Sequence, residues 1–171
     1  MRILIVQDPK ENPRKCSLTP LEGRPGVTFL RPRSAAWDPG KIRLGSGVLL
    51  ALDAPLLEPA DEELLRGAGA LILPDATWAR LPKLLRRIEA LEGEHFERRR
   101  LPEHLQTAYP RVSKVHTDPA GGLASVEALF AATVLLGAPR PDLLEGYRWA
   151  EEFLRRNGWQ ALATNPASRV S

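Results

Sequence analysis

Short apolar runs bounded by glycine, proline or charge recur through the first half of the chain. Four of them, Arg2–Gln7, Val27–Arg31, Gly47–Leu52 and Ala70–Pro74, have the length and composition of buried parallel strands. Between the last two, Pro59 to Gly67 carries a proline early, acids in its first turn, and arginine then glycine at its end, which predicts a short capped helix. After Trp78, Leu81, Leu84, Leu85, Ile88 and Leu91 repeat at helical spacing, with Lys83, Arg86 and Arg87 on the other face. Strands alternating with helical segments predict an α/β layer with a mostly parallel sheet flanked by helices.

The pattern changes near Leu101, where strand signals fade. Ala124–Leu136 is apolar nearly all round and stops at Gly137, as a buried core helix should. Two further helices are predicted over Pro141–Tyr147 and Trp149–Asn157, and the small, polar Ala163–Ser171 is expected to fray. The expected organisation is an N-terminal α/β lobe over residues 1–100 and a C-terminal helical lobe over 101–171.

Composition narrows the chemistry. A chain of 171 residues suffices for one compact unit or two lobes sharing a core. No stretch approaches the about 20 apolar residues that span a bilayer, and the first residues run straight into a strand, so a cytoplasmic protein is expected. One cysteine, Cys16, and three scattered histidines give neither a disulfide framework nor a four-ligand zinc site. The net charge is only +3, but the basic residues cluster before Gly45 and between Arg80 and Lys114. Such clusters suit a polyanion, and they equally suit a solvated, arginine-rich surface.

Three segments could carry chemistry. Asp75 ends a strand just before a helix, where ligands of open parallel sheets bind, although Asp is also a common helix N-cap. Asp118 to Ala128 is a glycine turn feeding a helix start, whose free N–H groups suit a carboxylate or phosphate; as an ordinary loop it would use Ser125 as cap. Asp8-Pro9-Lys10 and Lys15-Cys16-Ser17 follow the first strand and could line the same crevice. Neither the dinucleotide fingerprint nor the Walker phosphate loop is present.

In order, Asp8-Pro9-Lys10, Lys15-Cys16-Ser17, Leu57 to Asp61, Asp75-Ala76-Thr77-Trp78, Arg100-Leu101-Pro102, Leu123–Leu129 and Tyr147-Arg148-Trp149 resemble the DTW-domain proteins and the related ribosomal-RNA aminocarboxypropyltransferases. The resemblance implies a SPOUT-like, trefoil-knotted fold and transfer of the 3-amino-3-carboxypropyl (acp) group of S-adenosylmethionine (SAM) to N3 of a uridine in rRNA or tRNA. It further implies that Trp78, Leu101, Leu123 and Ala128 wall the cofactor and that the main chain at Pro74 meets its ribose. Ser17, or Thr19 in its place, and the Ser125 N–H would hold its carboxylate. Asp75 would orient the acceptor or take its proton, and RNA would approach over Lys10, Arg14, Lys15, Lys83, Arg86 and Arg87. A SPOUT-like methyltransferase and a non-catalytic RNA or ribosome-assembly binder are the competing readings.

Overall fold

A computed structural model describes residues 1–12, 16–31, 44–89, 95–110 and 122–163. Its centre is a five-stranded sheet built from β1 (Arg2–Gln7), β2 (Val27–Leu30), β3 (Gly47–Leu50), β4 (Ala70–Asp75) and β5 (Phe96–Arg99). The strand order is β2-β1-β4-β3-β5 and every pairing is parallel. The α/β expectation therefore holds, with all four predicted strands present and two of them ending one or two residues early. β5 is an addition. Its sequence, Phe96-Glu97-Arg98-Arg99, is mostly charged because it pairs only with β3 and lies at the sheet's edge, where charge also discourages pairing with another chain.

Side chains alternate across the sheet as a pleated strand requires. Ile3, Ile5, Leu71 and Leu73 face a large core shared with helix α2 (Ser125–Leu135), whereas Leu4, Val6 and Ile72 face a smaller one closed by Leu84 and Ile88 of helix α1 (Leu81–Glu89). Both faces are covered, which explains why β1 and β4 read as continuous apolar runs. α2 also packs on Phe153 and Leu154 of helix α3 (Ala150–Arg156), so residues before and after position 100 share one core. Gly137, at φ +73°, ends α2 in the conformation glycine adopts without strain.

Two predicted helices are tighter than expected. Pro59–Leu65 and Pro141–Leu144 are 3-10 turns. The first is tied down by Asp61, which accepts the N–H of Glu58 and forms a two-oxygen pair with Arg99. Arg99 also meets Glu97, while Arg98 pairs with Glu89 and Arg100 with Glu103. Much of the second basic cluster is thus committed to acids within the fold. The segment expected to fray, Ala163–Ser171, lies almost wholly outside the described residues, as do the first four residues of the Asp118 glycine turn. No helix among the described residues is long and apolar enough to cross a membrane.

One buried group holds the helical part in place. Glu127, in the first turn of α2, is 0 % exposed and accepts four hydrogen bonds, all from neutral donors. They come from Ala124 N–H (2.8 Å), Ala108 N–H (2.8 Å), Thr107 Oγ1 (2.5 Å) and Tyr147 Oη (2.9 Å). Three separate segments therefore meet on one carboxylate, which the positive end of the helix dipole also favours. Glu127→Ala orphans all four donors, and Glu127→Gln turns one acceptor into a donor that faces donors. Both are expected to lower unfolding free energy by about 2–5 kcal/mol in denaturant titrations; a loss below about 1 kcal/mol in both would contradict this role.

Candidate functional site

Sheet topology selects the place. The chain leaves β1 toward β2 on one side and leaves β4 toward β5, beyond β3, on the other, so β1 and β4 flank the point where the winding reverses. In such sheets the crevice beyond the carboxyl ends of those two strands is the ligand site. The final register pair there is Gln7 with Asp75. Being in step with Ile3, Ile5, Leu71 and Leu73, both side chains point to the α2 face, and both are 5 % exposed.

Asp75 is surrounded by donors. Its Oδ1 accepts from Ser125 Oγ at 2.6 Å; its Oδ2 accepts from Gln7 Nε2 at 2.9 Å and from Cys16 Sγ at 3.6 Å. The Asp75 carbonyl continues the ladder by accepting the N–H of Asp8 at 2.8 Å. Gln7 is itself held, its Oε1 accepting from Arg31 Nε at 2.8 Å, and Arg31 pairs with Glu22. Asp75 is thus not an N-cap for the following turn. That task falls to Glu11, whose Oε1 accepts the N–H of Thr77 (2.9 Å) and Arg80 Nη2 (3.3 Å).

The start of α2 closes the site from the helical side. Ser125 occupies the first helical position and not the cap. Glu127 takes the N–H of Ala124, and Ser17 Oγ takes that of Val126 at 3.2 Å. Among the described residues the Ser125 N–H has no acceptor in the protein, as expected of a helix's first turn. Because Ser17 Oγ accepts from Val126, its own proton is free to be donated outward. Thr19, the alternative to Ser17, is exposed in the 3-10 turn Thr19–Leu21.

Of the residues expected at a site, the fold gathers Ser17, Pro74, Asp75 and Ser125 at one carboxyl edge. Leu101, Leu123 and Ala128 are partly buried against the core on the α2 face. Trp78 is half-buried in the turn between β4 and α1. Lys10 is exposed in the loop after β1, whereas Lys83, Arg86 and Arg87 sit on α1, which covers the opposite face of the sheet. Arg14 and Lys15 lie outside the described residues. A shallow hollow lined by Ser46, Gly47, Leu64, His95, Phe96 and Glu97 lies at the amino ends of β3 and β5, away from this edge.

Gln7, Glu11, Arg31 and Glu127 were not anticipated. Gln7 and Glu127 had a signal, a polar residue at a core-facing position of an otherwise apolar element, which must find partners when buried. Arg31 and Glu11 had none, because their partners are distant in sequence.

The donor set also fits no metal centre: among the described residues no three His, Cys, Asp or Glu side chains are grouped to hold an ion. What the edge offers is two hydroxyls and a helix-start N–H around a carboxylate, beside partly buried apolar side chains. That combination suits a molecule with both a carboxylate and an apolar body.

The chain is similar to the SAM-dependent rRNA:acp-transferase Tsr3 from Vulcanisaeta distributa, with a TM-score of 0.65 and 25% sequence identity over 94% of this chain and 80% of that one. This chain has the fold of that enzyme. No family model matches the chain, and no curated protein matches it.

Two titrations report on the edge. Burial, with the charge of Asp75 adding to it, pushes the Cys16 thiol up to about 12, so it remains a thiol near neutrality and is no nucleophile. Burial, then Asp75, also raises the Glu11 carboxyl, while the Thr77 N–H and Arg80 pull it down. A carboxyl raised by folding binds its proton more tightly in the native state than in the unfolded chain. Its stabilising contribution is present below the ordinary carboxyl range and is lost as pH rises through the raised value. Glu11→Gln should accordingly flatten the fall in stability as pH rises above the ordinary carboxyl range, as measured by denaturant titration at each pH. Parallel profiles for variant and wild type would show that Glu11 does not titrate in this way.

Proposed function

We propose that the protein transfers the acp group of SAM to N3 of a uridine or modified uridine in rRNA, leaving 5′-methylthioadenosine. The observation that carries this reading is the likeness to an rRNA:acp-transferase along 94% of the chain. It is supported by the donors at the β1–β4 edge, whose chemistry matches the groups SAM would present. tRNA is the other acceptor class named by the sequence resemblance, and the trefoil knot belongs to the same proposal.

In this account the Ser125 N–H and the Ser17 hydroxyl hold the amino-acid carboxylate at the positive end of α2. Trp78, Leu101, Leu123 and Ala128 supply apolar wall, and the Pro74 carbonyl, at the end of β4, meets the ribose. Methyl and acp transfer differ only in which carbon on the sulfonium faces the acceptor, so orientation selects the product. Packing the methyl against Trp78 while α2 extends the acp chain toward the opening makes the acp carbon the accessible one. The N3 nitrogen then forms the new C–N bond, the C–S bond breaks with its electron pair left on sulfur, and the N3 proton passes to solvent water.

Asp75 is the catalytic residue of this proposal. Both its oxygens already accept hydrogen bonds, which favours orienting Ser125 and the acceptor over abstracting the proton unaided. RNA would approach over Lys10, with Arg14 and Lys15 close behind it in sequence. Lys83, Arg86 and Arg87, on α1 over the opposite face of the sheet, would add affinity without sequence preference where RNA reaches that face.

Incubation with rRNA and SAM labelled in the carboxypropyl carbons is expected to label the RNA, and methyl-labelled SAM is expected to leave it unlabelled. RNA labelled only from the methyl group would make the protein a methyltransferase, and no label from either would leave a non-catalytic binder. Trp78→Ala should weaken SAM binding about tenfold or more in calorimetry, the equivalent of about 1.5–3 kcal/mol of aromatic burial. Unchanged affinity would remove Trp78 from the site.

A further inference from the structure

Asp75 reaches Ser125 through only one of its oxygens, so what fixes the carboxylate's rotation matters as much as the carboxylate itself. The other oxygen is held by Gln7 Nε2 at 2.9 Å. An amide side chain has two chemically opposite ends of nearly equal size and can bind either way round. Here its direction is dictated. Arg31 only donates, so the end of Gln7 that faces Arg31 Nε at 2.8 Å must be the carbonyl oxygen. The NH2 end is thereby turned on Asp75, and a second contact to Cys16 Sγ at 3.4 Å agrees with that assignment.

We propose that Gln7 is the positioning residue of this site, its amide polarised one way by Arg31 so that it aims Asp75 at Ser125. This rests on the transfer reading given above. The relay runs Glu22, Arg31, Gln7, Asp75, Ser125, from an exposed ion pair to the first residue of α2. Its rigidity comes from burial: Gln7 and Asp75 are 95 % or more removed from solvent, so neither can exchange its partner for water.

The relay has a consequence for Ser125. With its proton committed to Asp75, Ser125 Oγ presents only lone pairs to a ligand, while its backbone N–H presents a donor. One residue then offers an acceptor and a donor side by side, which is the complement of an α-ammonium next to a carboxylate. If the Gln7 amide were reversed, its oxygen would oppose the Asp75 carboxylate and the alignment would be lost.

Two measurements on the full chain test this, one of them independent of activity. Hydrogen exchange of the Gln7 side-chain NH2, followed by NMR, should be slow in the wild type and in Arg31→Lys, which keeps a donor-only cation. It should be fast in Arg31→Gln, whose amide accepts either end of Gln7. In transfer assays with carboxypropyl-labelled SAM and rRNA, Gln7→Leu and Arg31→Gln should lower turnover at saturating SAM by about 10- to 100-fold. SAM affinity by calorimetry should fall with turnover in those two variants, because the alignment of Ser125 is lost, and Arg31→Lys should stay near wild type in both.

A merely structural Gln7 would lower thermal stability in step with turnover, and Arg31→Lys would then be as impaired as Arg31→Gln. Slow Gln7 exchange persisting in Arg31→Gln, or full turnover in both Gln7→Leu and Arg31→Gln, would overturn the proposal. Should the wild type transfer no acp group at all, the functional reading fails, and the exchange measurement still decides whether the relay exists.

Discussion

A carboxylate removed from water costs several kcal/mol unless donors replace its hydration. At the carboxyl edge of β1 and β4 that requirement binds three parts of the chain to one place. Asp75 lies at the end of the most central strand, and its donors arrive from β1, from the loop after β1 and from the first turn of α2. Satisfying it obliges the amino end of α2 to stand over the crevice of the sheet. The site is therefore a product of the same contacts that dock the helical part of the chain.

Glu127 answers the same problem two residues further along in the same turn, with the start of α2 and the segment at Thr107–Ala108 among its partners. Two buried carboxylates thus sit at the positive end of a single helix, where its dipole offsets part of their desolvation. Between them they fix Ser125, which belongs to the cofactor site under the proposed function, and Ala124 before it. Positioning of this kind suits a reaction in which the protein must choose between two carbons of one sulfonium. Little covalent chemistry is then required of any side chain, which accords with Cys16 remaining a thiol beside Asp75.

Most of the sheet was legible because strands buried on both faces read as unbroken apolar runs, as in Ile3–Val6 and Leu71–Leu73. β5 was not, since an edge strand with Glu97, Arg98 and Arg99 carries the composition of a loop. α2 declared itself by being apolar all round and ending at Gly137, but the reason for Glu127 within it lay in Thr107, Ala108 and Tyr147, which no local pattern connects. At the site, Asp75, Ser17 and Ser125 were picked out by strand ends, a helix start and family resemblance. The partners that orient them, Gln7 and Arg31, emerge only from three-dimensional contact across β1, β2 and β4.

The central claim is that the junction of Asp75 with the start of α2 receives SAM and turns its acp chain outward. A crystal structure of the protein with SAM bound tests it most directly. The account predicts the amino-acid carboxylate within hydrogen-bond distance of the Ser125 N–H, the methyl carbon against Trp78, and the acp carbon next to sulfur facing the open side. SAM seated elsewhere on the sheet, or at this edge with its methyl carbon facing outward, would contradict it.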